Sequence, residues 1–210
     1  MLPIRQPSAP ESPPSLARAS AMAFVPLDTV IAGKRVALLA ARKSDYEEWA
    51  ALRTVSRDYL EPWEPSWPSD ALSRKDWQRR VQVWTKAWKA GSGYVFLIRR
   101  LSDNALIGGA SLTQVRPWPA NSASLGYWMG APHAGQGYMK EAVESLCAWA
   151  FPMLNLVRIE AGIVPENDRS RGVLEGTGFA EEGRASAYLE IAGQRRDHIL
   201  FALVRADIRR

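Results

Sequence analysis

The segment Gly135-Gln136-Gly137 lies between an extended run, Leu125-Gly126-Tyr127-Trp128-Met129, and an amphipathic run that opens Tyr138-Met139-Lys140-Glu141-Ala142. A strand, a glycine-rich loop and a helix start together form a geometry that holds phosphate. The first-turn N–H groups of a helix have no intrahelical acceptor and carry a partial positive charge. Glycines let the backbone come close enough to use those groups on a pyrophosphate. Lys140 adds a cation in the same turn. A dinucleotide fingerprint requires G-x-G-x-x-G with an acid about 20 residues on. Gly135, Gly137 and Glu160 imitate it, but Lys140 stands where the third glycine is needed for close helix–strand packing. No G-K-[ST] follows, which excludes a P-loop.

Other chemistries have less support. One cysteine and two histidines cannot build a thiolate zinc site and make a histidine one unfavourable, so no metal is expected. Cys147 falls on the apolar face of its helix without an activating partner, which argues against a covalent cysteine. Asp197 and His198 are strand neighbours that point to opposite faces, so they form no dyad. His133 reads as a loop residue at a helix entry. With 210 residues, 47% hydrophobic and 23% charged, the composition is that of a soluble globular protein. Apolar runs fall short of the ~18 residues of a membrane span. The net charge of +5 suits a polyanionic partner without choosing among nucleic acid, an acidic protein and a phosphorylated cofactor.

The elements that must position these residues follow from pattern. Residues 1–22 form a Pro/Ser-rich tail expected to be disordered, and translation from Met22 would remove most of it. Residues 23–210 read as one domain. A strand is expected at 34–40. Ser44-x-x-Glu47 reads as a capping box opening a helix, and Ser73-x-x-Asp76 as a second, with Leu72 and Trp77 as its hydrophobic staple. Between them lies a proline-braced loop, Glu61-Pro62-Trp63-Glu64-Pro65-Ser66-Trp67-Pro68. Strands follow at 94–100, 105–115 and 123–129, then a helix at 138–153 and a strand at 156–164. A short helix at 165–178 has Asn167 as its N-cap. Two strands near 184–191 and 197–204 meet at a turn containing Gly193. The order β-α-α-β-β-β-α-β-α-β-β is a mixed α/β sheet, not a doubly wound one. Of nine tryptophans, six (Trp49, Trp63, Trp67, Trp77, Trp84, Trp88) crowd between residues 49 and 88. Trp77, Trp84 and Trp88 fall on one helical stripe and read as packing.

Five motifs in order carry a resemblance to a known family. They are Leu125-Gly126-Tyr127-Trp128; His133-Ala134-Gly135-Gln136-Gly137-Tyr138-Met139-Lys140-Glu141-Ala142; Asn167-x-x-Ser170 with Leu174-x-x-x-Gly178-Phe179; Glu182-Gly183 with Gly193-Gln194-Arg195-Arg196-Asp197-His198; and Tyr59-Leu60-Glu61-Pro62-Trp63-Glu64-Pro65. Together they resemble the GCN5-related N-acetyltransferase (GNAT) superfamily, and within it the ribosomal-protein-alanine N-acetyltransferases of the RimJ/RimL type. The superfamily loop reads Q/R-x-x-G-x-G/A. Here Ala134 replaces its first residue and Met139 its last, which puts a side-chain contact in doubt, with His133 as its replacement, but leaves the backbone contacts.

The resemblance implies the acyl-CoA N-acyltransferase fold and transfer of acetyl from acetyl-CoA to a primary amine, foremost the N-terminal α-amine of a ribosomal protein. It places the thioester carbonyl against backbone N–H groups around Trp128 and Met129, and the pyrophosphate on residues 133–140. Asn167 and Ser170 come near the sulfur, and Arg171 near the phosphates, with a solvated helix face as the alternative for Arg171. Ser170 is the candidate to assist the leaving thiolate, with a plain capping role as its alternative. Glu160 and Glu64 are candidate bases; a water relay is the other option, because a free α-amine titrates at about 7.7–8.0. Trp63, Glu64, Trp67 and Tyr188 are candidates to line the acceptor groove. Two alternatives stay open: acetylation of a small amine or antibiotic, and a non-catalytic CoA-binding module on the ribosome. The implied setting is cytoplasmic, as monomer or homodimer, with no membrane and no specific nucleic acid.

Overall fold

The computed structural model describes residues 24–206; the expected tail lies outside the described residues. The strands are β1 (Val30–Ala32), β2 (Val36–Ala40), β3 (Tyr94–Arg100), β4 (Leu106–Arg116), β5 (Ser122–Met129), β6 (Arg158–Ile163), β7 (Ala180–Ile191) and β8 (Gln194–Val204). The α-helices are α1 (Tyr46–Val55), α2 (Arg57–Leu60), α3 (Arg74–Lys89), α4 (Tyr138–Met153) and α5 (Asp168–Gly176). The strands form one mixed sheet in the order β1-β2-β3-β4-β5-β6-β8-β7. Only β5 and β6 run parallel; every other neighbouring pair is antiparallel.

Each face of the sheet carries its own apolar cluster. On one face Ala142, Val143, Leu146 and Ala150 of α4 pack on Phe96, Ile98, Leu112, Leu125 and Ile159. On the other, Trp49 and Leu52 of α1 and Trp77 and Val81 of α3 cover Leu97 and Leu106. This accounts for most of the crowded tryptophans. The rings of Trp49 and Trp77 lie 4.6 Å apart and those of Trp77 and Trp84 5.6 Å. The Trp88 indole donates to the Val25 carbonyl at 2.8 Å. A buried indole N–H needs such an acceptor.

The structure corrects several boundaries. A short strand, β1, precedes the expected first one and pairs with it. The second helix starts as read: the Ser73 side chain accepts from the Asp76 N–H at 3.0 Å, a cap worth about 1 kcal/mol. The Ser44–Glu47 box does not form. A single 3-10 turn occupies Lys43–Asp45, and the Asp45 carboxylate accepts the Arg42 N–H at 2.7 Å. Glu47 instead pairs with Arg74 on α3. The proline-braced segment is preceded by the one-turn α2 and opens with a 3-10 turn, Glu61–Trp63. The last two strands run longer than read. Ala192 (φ 47°) and Gly193 (φ 78°) form a left-handed two-residue turn, and the ladder closes up to it at Ile191↔Gln194.

Candidate active site

The sheet parts at its centre. β5 pairs with β6 only through Ser122↔Arg158, Ala123↔Ile159 and Ser124↔Glu160. Beyond Ser124, β5 stays paired with β4 as far as Met129, and β6 with β8 as far as Ile163. The edge of β5 from Leu125 to Met129 therefore faces a gap. The Gly130 N–H bonds the Ile107 carbonyl at 2.9 Å. Antiparallel alternation then turns the N–H groups of Met129 and Tyr127 away from β4 and into the gap. Buried backbone groups of this kind need a partner.

The glycine loop lies just past the end of this edge. Gly135 (φ 74°) and Gly137 (φ 78°) both take the left-handed conformation that glycine adopts without strain. A Cβ at Gly135 would meet no protein atom within 4 Å, so the space above this residue is open. Gly137 is the N-cap of α4 and offers no side chain to the first turn. The N–H groups of Tyr138, Met139 and Lys140 are thus available to an anion. Arg35 braces the loop: its Nε donates to Glu141 at 2.9 Å, its Nη1 to the Gln136 carbonyl at 3.2 Å, and its guanidinium lies over the Tyr138 ring at 4.6 Å. Met139 is buried and contributes only backbone. Lys140 runs along α4, 3.9 Å from Glu144. Ala134 packs on the core. His133 ends a 3-10 turn, and burial, followed by the Arg100 guanidinium, lowers its pKa from the ordinary imidazole value.

Across the gap, the Asn167 side chain caps α5 by accepting the Ser170 N–H at 3.1 Å. The Ser170 hydroxyl lies 2.7 Å from the Tyr127 hydroxyl, joining α5 to β5. Burial pushes the Tyr127 phenol up to about 12, although the Ser170 bond pulls the other way, so it stays protonated at neutral pH. Arg171 pairs with Glu181 at 2.6 Å and stacks on Phe201. Cys147 is buried, and burial pushes its thiol up to about 12, leaving no thiolate to react.

The opposite face of the same gap carries the expected acceptor residues. The Arg53 guanidinium forks onto Glu64 at 2.8 and 2.5 Å, and the Trp67 indole donates to the same carboxylate at 2.8 Å. The Arg53 guanidinium stands over the ring of Trp67 (4.2 Å) and over that of Trp128 (4.9 Å). Trp63 is half-buried in the same segment. The end of α1 is held against β5: the Ser56 hydroxyl accepts the Ala131 N–H at 2.9 Å, and Gly130 leaves room for Leu52 where a Cβ would collide. The Ala192 N–H bonds the Glu64 carbonyl at 2.9 Å, so the tip of the β7–β8 hairpin rests on the proline-braced loop. Tyr188, 47% exposed, sets its ring 5.5 Å from that of His198. Its edge would lie 3.6 Å from a Cβ on Gly162 of β6. The result is a closed ring around the gap, running from β5 through Arg53, Trp67 and Glu64 to the hairpin and back along β8 and β6. Glu160 is held by Arg116 and by Arg158 (2.8 Å). Burial raises its pKa, but the two arginines outweigh burial and the net shift is downward.

Sequence reading brought together the loop, Asn167, Ser170 and the acceptor loop. It missed three residues. Arg35 lies 106 positions from the Glu141 it pairs with. Tyr127 was visible only as part of a motif. Arg53, a cation in the last turn of α1, carries no mark in the sequence of its two neighbouring tryptophans.

A family model for the acetyltransferase (GNAT) domain matches residues 35–180. The chain is 33% identical over 178 residues to the probable N-acetyltransferase YjcK of Bacillus subtilis (strain 168), covering 85% of this chain and 98% of that protein. It is 34% identical over 165 residues to the ribosomal protein uS5-alanine N-acetyltransferase of Escherichia coli (strain K12), covering 78% and 85%. Among solved structures, Mycobacterium smegmatis RimJ in complex with CoA-disulfide superposes with a TM-score of 0.79 at 32% identity, over 86% of this chain and 87% of that one. The ribosomal-protein-S5-alanine acetyltransferase of Vibrio fischeri gives 0.80 at 28%, over 87% and 100%. The parted central strands, the glycine loop at a helix start and the matched domain agree, and the chain belongs to the GNAT acetyltransferase family.

Proposed function

We propose that the protein transfers an acetyl group from acetyl-CoA to the N-terminal α-amine of a ribosomal protein. The observation that carries this reading is the β5–β6 gap beside an uncapped helix start. An extended pantetheine arm bears two amides and can pair with a free strand edge as an added strand does. The pyrophosphate fits the N–H groups of residues 138–140. Relatives that act on ribosomal proteins, and one bound to CoA-disulfide, support the acceptor and the co-substrate.

Acetyl-CoA supplies an activated thioester when bound. The chain's own groups do the rest. The Met129 N–H points into the gap, where it can donate to the carbonyl oxygen as charge builds there. The Tyr127 O–H can turn from the Ser170 carbonyl, 3.2 Å away, to the Ser170 hydroxyl oxygen; the Ser170 O–H is then free to give its proton to the departing sulfur, and Tyr127 and then water restore it. Glu160 and Glu64 are both held by arginine, and in this reading neither takes the amine's proton; water does.

The test is release of free thiol from acetyl-CoA with peptides carrying ribosomal-protein N-termini. Turnover is expected with a free N-terminus and none with the same peptide blocked there; equal rates for the two would sink the assignment. In the same assay Ser170→Ala should lower kcat about 10²-fold, the scale of a lost proton donor. Tyr127→Phe should cost about tenfold, with the KM for acetyl-CoA nearly unchanged. Unaltered turnover in Ser170→Ala would remove Ser170 from the mechanism.

A further inference from the structure

We infer that Arg53 is the positioning residue that fixes the acceptor wall to the acetyl-CoA strand, and so sets where the incoming amine lies relative to the thioester. The inference rests on the acyl-transfer reading above. Arg53 stands in the last turn of α1, and only 12% of its side chain is exposed. Its guanidinium carbon stands over the ring of Trp67 on the acceptor loop and over that of Trp128 on β5. Its in-plane fork holds both oxygens of Glu64. Trp67 is tied to that same carboxylate through its indole N–H. No other side chain among the described residues bonds Glu64 while stacking on both tryptophans.

A lysine has neither the fork nor the flat faces and cannot make these contacts together. Arg53 also carries a cost: its Nε–H is buried without an acceptor. A buried donor left unpaired is destabilising. The cluster keeps this arrangement where β5 and the acceptor loop meet. Breaking it lets the loop move relative to β5, and small displacements of a reacting group carry large rate penalties. The expected signature is therefore confined to the acceptor.

Steady-state kinetics of Arg53→Lys test this, with acceptor peptide and acetyl-CoA varied separately. The KM for acceptor should rise tenfold or more, while the KM for acetyl-CoA stays within twofold. A scaffold role predicts a different pattern, in which melting temperature and active fraction fall but both KM values stay put. That pattern, or parallel rises in both KM values, overturns the inference. If Arg53→Lys does not fold, Glu64→Gln is measured the same way, since it weakens the fork and leaves the stack. It should raise the acceptor KM several-fold, and an unchanged value overturns the inference. Absence of turnover by the wild-type protein on every amine would instead sink the acyl-transfer reading itself.

Discussion

At pH 7.5 a peptide whose only free amine is at its N-terminus should be acetylated a few hundredfold faster than one whose only free amine is a lysine. The cause is the state of the carboxylates. Glu160 is paired with Arg116 and Arg158, and its pKa is shifted below the ordinary glutamate value, which makes it a weaker base. Both oxygens of Glu64 are occupied by Arg53, and one also by Trp67. With neither of these two carboxylates free to take a proton, the reactive fraction is set by the amine itself. An α-amine of pKa about 7.7–8.0 is roughly one-third deprotonated at pH 7.5, a lysine of pKa about 10.4 roughly one part in 800. The sign follows directly: kcat/KM rises with pH through the acceptor's own pKa and levels off above it. Exchanging acceptors of different amine pKa should move the inflection with them. Equal rates for the two peptides would refute the argument. So would a loss of 10² or more in kcat for Glu160→Gln or Glu64→Gln, the scale at which a true base is missed.

Gly135→Val should abolish acetyl-CoA binding at ordinary concentrations while leaving a folded protein. A Cβ at this position meets nothing in the protein, so the only folding cost is that of holding a branched residue at φ 74°, about 1–3 kcal/mol. Its branched methyls would occupy the open space beside the loop that a phosphate on the helix start has to share. We expect the KM for acetyl-CoA to rise about 10²-fold or more, equal to at least ~2.7 kcal/mol of binding, with the melting temperature only a few degrees lower. Calorimetric titration with CoA separates the two effects. CoA binding at wild-type affinity would mean that the phosphates lie elsewhere.

The parts of this molecule that were legible in its sequence were local. Ser73 at the start of α3 and Asn167 at the start of α5 cap the helices that their spacing predicted. The glycine loop was readable because left-handed backbone leaves a compositional mark. The Ser44 box failed because a competing local bond, from the Arg42 N–H to Asp45, was stronger competition than the pattern could show. The remainder was long-range. The parting of β5 and β6 depends on where two ladders stop, and stopping leaves no residue signature. The Tyr127–Ser170 bond spans 43 positions. Arg53 is 75 positions from Trp128. The tryptophan cluster, conspicuous in the sequence, divides into core packing by Trp49, Trp77, Trp84 and Trp88 and site construction by Trp67, which shares Arg53 with the distant Trp128.

The single bond from the Ala192 N–H to the Glu64 carbonyl has a steric consequence of its own. It turns what would be an open trough across the sheet into an eyelet. A trough can receive the middle of a polypeptide laid along it, but an eyelet must be threaded. A folded substrate can offer it only something slender with a free tip, and every protein has one such tip at its beginning. Lysine side chains are slender as well, so the eyelet excludes loops and the protonation state of the amine excludes lysines. Under the proposed acyl transfer, two unremarkable filters in series then leave the chain terminus as the group that reacts.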